Sequence, residues 1–256
     1  AAVVGFAARM GIGAGNRRNY PVLVVLALFP LAAVLSWAEA WGLPASWAAQ
    51  GPLLALFTLV ILIAVIGGRI VPLFTSNWLV KVGRVAPPPA TPLVDRAGLA
   101  AVPLAALCEV LAPGSAIGGA VLVLAGGLTL ARLARWHGLA TLAEPLVTVL
   151  HVGYAWLGIG LIVLGLSSLS DWVPRIAGLH ALTAGAIATM LVAVMTRASL
   201  GHGGRPLTAD RATLAVYALI TAAAVTRVLS PWFPGQGMRL IDLSGGLWIA
   251  GFALFT

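Results

Sequence analysis

Four histidines, His137, His151, His180 and His202, together with Met190 and the lone Cys108, are the side chains of this sequence that could hold a metal. Neutral imidazole suits copper and iron, and a thioether is a soft copper ligand or the axial partner of histidine on haem iron. Their setting sharpens the question. The stretch "LHVGYAWLGIGLIVLGL" (150–166) has no formal charge and carries His151 at its second position. An imidazole sunk in such a segment must find a hydrogen bond, a metal or a water-lined cavity. Two readings therefore stand for His151: a structural bond to a neighbouring helix carbonyl, or ligation of haem or copper. Cys108 reads as a small apolar residue in a span or as a soft copper ligand, and a single cysteine allows no intramolecular disulfide.

The elements that must position these groups follow from composition. Of 256 residues, 61% are hydrophobic and 9% charged, and the mean hydropathy is +1.03. A water-soluble domain of this size would lack the polar material to cover its surface. Crossing a hydrocarbon core of roughly 30 Å takes about 20 mainly apolar residues, because backbone groups must be paired inside lipid. Apolar runs between charged or Pro/Gly-rich breaks predict an all-α polytopic transmembrane bundle. Its spans lie near 20–38, 52–68, 97–111, 115–131, 145–166, 174–196, 212–230 and 240–256. The opening AAVVGFAARM reads as the tail of a further, partial span. The whole of 1–256 is expected to form a single membrane domain that belongs to a longer chain. "RIVPLFTSNWLVKVGR" (69–84) mixes apolar and basic residues and predicts a surface-lying segment, and "APPPATP" (86–92) a stiff connector. Small residues four apart, Ala181, Gly185 and Thr189, or Gly246 and Ala250, predict close helix approach.

The formal charge of +8 is a topology signal. Twelve of the fifteen cations fall in alternate loops: Arg9, Arg17 and Arg18 in 9–19; Arg69, Lys81, Arg84 and Arg96 in 69–96; Arg132 and Arg135 in 132–144; Arg197, Arg205 and Arg211 in 197–211. The intervening connections hold only Arg175 and Arg239, and Arg227 sits inside a span. This is the positive-inside pattern, which predicts cytoplasmic basic loops and removes the nucleic-acid reading. Trp37, Trp41, Trp47, Trp172 and Trp232 fall in the opposite connections, as interfacial belts do.

Depth along the spans separates the histidines. With Pro145 as the first helical residue, His151 lies about 9 Å in from the basic end at 1.5 Å per residue; His180 lies about 9 Å in from the other end, and Met190 about 10 Å from the basic one. His151 and Met190 share a depth, whereas one iron is not expected to take both His151 and His180. Tyr154 and Trp156 line a cofactor slot or pack as core aromatics. His137, beside Arg135 and Trp136, reads as interfacial. Near the opposite end, Arg227 is expected to pair with Asp242 or Glu109, or to serve a haem near His180.

Three stretches, "LHVGYAWLGIGL" (150–161), "LHALTAGAIATMLVAVMTRASLGHGGRPL" (179–207) and "GRIVPLFTSN" (68–77), resemble the NnrS family of bacterial inner-membrane proteins. The resemblance implies a haem- and copper-containing protein, the haem of b type, linked to nitric oxide metabolism and defence against nitrosative stress. It implies roles for His151, His180, Arg197, His202 and Arg205, with metal contact at His151, His180 and His202. His202 is placed in a glycine-rich loop, where Arg197 and Arg205 would pair haem propionates. Family members are longer and carry a His/Glu stretch near the N-terminus that has no counterpart here. Two functions remain open: nitric oxide binding or electron transfer at a haem or copper centre, or a permease or scaffold for small molecules or metal ions without a permanent cofactor.

Overall fold

In a computed structural model, which describes residues 20–84 and 92–255, the chain is a bundle of helices with no strand among the described residues. Tyr20–Leu26 (α1) and Leu28–Ser36 (α2) are followed by Ala45–Leu62 (α3), which passes through a π-helical turn, Ile63–Gly67, into Gly68–Lys81 (α4). Then come Pro92–Leu111 (α5), Ala116–Ala134 (α6), Pro145–Leu166 (α7) and Arg175–His180 (α8). A second π-helical stretch, Ala181–Ile187, joins α8 to Ala188–His202 (α9), and Arg211–Leu229 (α10) and Gly237–Phe255 (α11) complete the bundle. The partial N-terminal span, the loop with Arg9, Arg17 and Arg18, and all of "APPPATP" but Pro92 lie outside the described residues.

Each of the eight expected spans coincides with helix. Six helical rods are long and apolar enough to cross a bilayer: Ala45–Lys81, Ala116–Ala134, Pro145–Leu166, Arg175–His202, Arg211–Trp232 and Gly237–Phe255. Val22–Ser36 is apolar but shorter. α5 carries Asp95, Arg96 and Glu109 within twenty residues. Local signals fix several ends. The Ser115 hydroxyl accepts the Gly118 amide at the start of α6, Pro145 opens α7, and the Asp210 carboxylate accepts the Thr213 amide at the start of α10.

The core is built round α7, whose Leu150, Tyr154, Leu157, Leu161 and Leu164 are fully buried. On one side its Gly158 and Gly165 meet Gly126 and Gly119 of α6 so closely that a Cβ on any of the four would strike the partner's backbone oxygen at 2.5–3.1 Å. On the other side, Gly153 and Gly160 receive Met190 and Leu182. Missing side chains, at seven-residue spacing on both faces, let backbones approach where lipid supplies no hydrophobic driving force.

Three expectations on packing are corrected. Segment 69–84 is not a separate surface piece: α4 continues α3 as part of a 37-residue helix and buries Val71, Thr75 and Leu79 at four-residue spacing. That spacing is one helix face, concealed in the sequence by the basic residues between. Gly246 and Ala250 are exposed, with nothing within 4 Å of a Cβ at Gly246; Ser244 and Gly251 face the bundle instead. Ala181, Gly185 and Thr189 are buried, and the Trp156 indole lies on Gly185. Arg132, counted as a loop cation, belongs to α6 and is 3% exposed.

Candidate functional site

α7 carries His151 two turns in from Pro145, on a buried face opposite Thr75 of α4. Thr75 Oγ1 donates its hydrogen to the Val71 carbonyl at 2.8 Å and lies 2.8 Å from His151 Nε2. With that hydrogen committed, the threonine oxygen is the acceptor, so Nε2 carries the ring proton and Nδ1 presents a lone pair. Nδ1 is buried and has no hydrogen-bond partner among the described residues. The ring lies against Gly138, where a Cβ would meet Nδ1 at 2.5 Å.

His151 lines a cavity of about 670 Å³ with His137, Gly138, Leu142, Thr148, Val152 and Ala155, between the α6–α7 connection and α7. His137 is exposed and has φ of 55°, the single positive φ outside glycine among the described residues. A side chain in left-handed backbone costs free energy that the surrounding fold must sustain, and such residues gather at functional sites. The expectation of an interfacial His137 agrees with its exposure, but sequence gave no sign that it would share a cavity with His151.

Next to this cavity runs a buried polar network. Arg132 Nε donates to Asp95 Oδ1 at 2.9 Å and its Nη1 to the Tyr154 hydroxyl at 2.9 Å, and that hydroxyl donates to the Ala64 carbonyl at 3.3 Å. Ala64 lies in the first π turn, and such turns recur beside functional sites. Tyr154 packs against Trp136 with ring centroids 4.8 Å apart and the planes tilted by 54°, and the Arg132 guanidinium lies 5.5 Å from the Trp136 ring. Four segments thus converge on one buried cation.

The other sequence-derived candidates sit elsewhere. Met190 is buried in the space left by Gly153 and reaches Gly67, so its neighbours differ from those of His151. His180 lines a separate cavity of about 290 Å³ with Thr183, Ala184, Arg227, Ser244, Gly245 and Trp248. The two cavities share no residue. Arg197 stacks on Phe74 at 4.1 Å. His202 is the last residue of α9 rather than part of the glycine-rich loop, and both it and Arg205 are exposed. Arg205 lines a third cavity with Asp210, whose carboxyl the Thr213 amide holds below the usual carboxylate range. Cys108 is partly buried near Gly118.

Arg227 pairs with neither expected acid. Glu109, fully buried, is bound by Arg175 of α8 at 2.5 Å, and Asp242 forms no ion pair among the described residues. Sequence spacing could not choose between cations on α8 and α10 because both sit near the same end of the bundle.

Copper(I) accepts imidazole through either nitrogen, and a ligating ring donates its other N–H to an oxygen, the arrangement Thr75 provides. Haem iron prefers Nε2, since Cβ crowds the porphyrin at Nδ1, and here Nε2 is engaged by Thr75. The described residues contain no cluster of three His, Cys, Asp or Glu side chains. His151 thus offers a ligand one buried imidazole nitrogen, outside any cage of three or more such side chains among the described residues.

The family model described as NnrS protein matches residues 1–256, the whole sequence. No curated protein and no solved structure matches.

Proposed function

The chain belongs to the NnrS family, and on that premise we propose that this nitric-oxide-related membrane protein of the bacterial inner membrane holds copper at the His151 cavity and uses it to bind nitric oxide or pass electrons. The observation that supports the reading is the buried His151 Nδ1, left without a partner while Nε2 is fixed by Thr75. A buried polar atom without a partner costs about 1–3 kcal/mol, which a ligand at that nitrogen would recover.

In this reading His151 is one ligand and His137, on the same cavity wall, the second. Bound copper would supply a one-electron couple and an open position for a diatomic ligand. Thr75 sets the tautomer, and Gly138 leaves the space the ring occupies. Apolar Leu133, Leu139, Leu142 and Val152 line the cavity wall. The Asp95–Arg132–Tyr154 network fixes Tyr154 and Trp136 beside the ring's helix and keeps the tyrosine proton on the Ala64 carbonyl. The basic loops, on the positive-inside argument, face the cytoplasm, which puts this cavity at the cytoplasmic end.

The test is elemental analysis and optical spectroscopy of protein purified from copper-supplemented membranes. About one copper per chain is expected, falling several-fold in His151→Ala and partly in His137→Ala. Protein without copper, or with a copper content that His151→Ala leaves unchanged, would falsify the reading.

A further inference from the structure

The cavity at the opposite end, between α8, α10 and α11, is built differently. Arg227 lies two residues before the end of α10, and its guanidinium makes no hydrogen bond or ion pair with the described residues, although it stands in a membrane-spanning helix. Glu109, one of the two acids expected to neutralise it, is held by Arg175. The Thr183 hydroxyl spends its hydrogen on the Leu179 carbonyl and the Ser244 hydroxyl on the Ala223 carbonyl. The side-chain donors left on the cavity are the guanidinium of Arg227, the ring of His180 and the indole N–H of Trp248, whose ring forms a third wall. Arg227 and His180 line that space together. Two groups of like tendency facing one space repel a cation and attract an anion, the more so in the low dielectric of a membrane edge.

We infer that this cavity binds a singly charged oxyanion group, such as a carboxylate, taken by the Arg227 guanidinium with His180 donating beside it. Guanidinium matches two oxygens of one planar group, forming paired charge-assisted bonds. A space of about 290 Å³ takes a small free anion or the headgroup end of an anionic lipid, and is at the lower limit for binding pockets, roughly 300 Å³. Thr183 and Ala184 lie in the second π stretch, which begins immediately after His180. α11, the third wall, is largely exposed, so an anionic lipid reaches the site from the side. The inference does not depend on copper at His151, since the cavities have no residue in common.

The whole chain, in phosphatidylcholine nanodiscs and stripped of metal by chelation, is titrated with sodium formate and separately with inorganic phosphate at constant ionic strength. Trp248 is the reporter: its signal is the wild-type fluorescence minus that of Trp248→Phe. A saturable change is expected with formate, weakened about tenfold or more in Arg227→Gln and by a smaller factor in Arg227→Lys, which keeps the charge but loses the paired donors. Adding phosphatidylglycerol to the discs separates the two sources. If the Trp248 signal is already shifted and formate no longer moves it, the site is filled by lipid; if formate still titrates, a free anion is the occupant. Absence of a saturable response to formate, phosphate and phosphatidylglycerol in the wild-type protein overturns the inference. So does an Arg227→Gln protein that binds as the wild type does. Should Arg227→Gln not fold, the wild-type titration and the lysine variant decide.

Discussion

Asp95→Asn should destabilise this protein more than Arg132→Met, although both break the same ion pair. Arg132 is 3% exposed and its side chain is enclosed by Gly98, Gly68 and the Trp136 ring, whereas the Asp95 side chain is 21% exposed. Neutralising Asp95 leaves a guanidinium buried without a counter-charge, and one-sided removal of a buried pair costs about 3–5 kcal/mol. Removing the cation instead leaves a carboxylate that reaches water. Tyr154 then loses the bond it accepts but keeps the one it donates to Ala64, so the cost is on the order of 1–3 kcal/mol. In the double variant no charge is stranded. Its cost should not exceed the larger single one, giving a coupling of at least about 1 kcal/mol. The assay is unfolding of the purified chain in mixed micelles by rising dodecyl sulfate, followed by tryptophan fluorescence, for wild type, both single variants and the double. Equal single costs, or additivity within about 0.5 kcal/mol, would show that Arg132 is hydrated rather than buried beside Asp95.

Gly138→Ala should push the His151 ring off Thr75, because the new Cβ would stand 2.5 Å from Nδ1; a loss of roughly 1–3 kcal/mol and of most bound copper is expected, read by melting and elemental analysis. Unchanged copper would mean the ring is seated elsewhere. Thr75→Val removes the acceptor of the His151 Nε2 proton and should cost about 1–3 kcal/mol in the metal-free protein, with the imidazole tautomer ratio in nitrogen NMR as the direct check. The Asp210 cap predicts a pH effect of defined sign. Its carboxyl titrates below the ordinary 3.8, so the cap is intact at neutral pH and is lost as pH falls through the lowered value. Amide exchange in the first turn of α10 should accelerate below about pH 4, corrected for the intrinsic pH dependence, and Asp210→Asn should abolish that added acceleration while keeping the turn formed.

Hydropathy alone determined that this chain is an all-helical membrane bundle and where most helices lie, because lipid forces every spanning backbone to pair with itself and length follows from bilayer thickness. The same bookkeeping along the helix axis separated His151 from His180, since depth needs only the rise per residue. Packing round the axis was another matter. Four-residue spacing favoured Gly246 and Ala250 as contact points, yet contact fell to Ser244 and Gly251, because which face of α11 meets α10 is set by the partner helix. Asp95 and Arg132 lie 37 positions apart, and nothing in their local sequence announces a pair. His137 with His151, Thr75 with His151 and Arg175 with Glu109 are likewise products of helices docking side by side. Residue type and depth are properties of one helix and can be read along the chain, whereas facing requires the azimuth of two, which only the assembled bundle fixes.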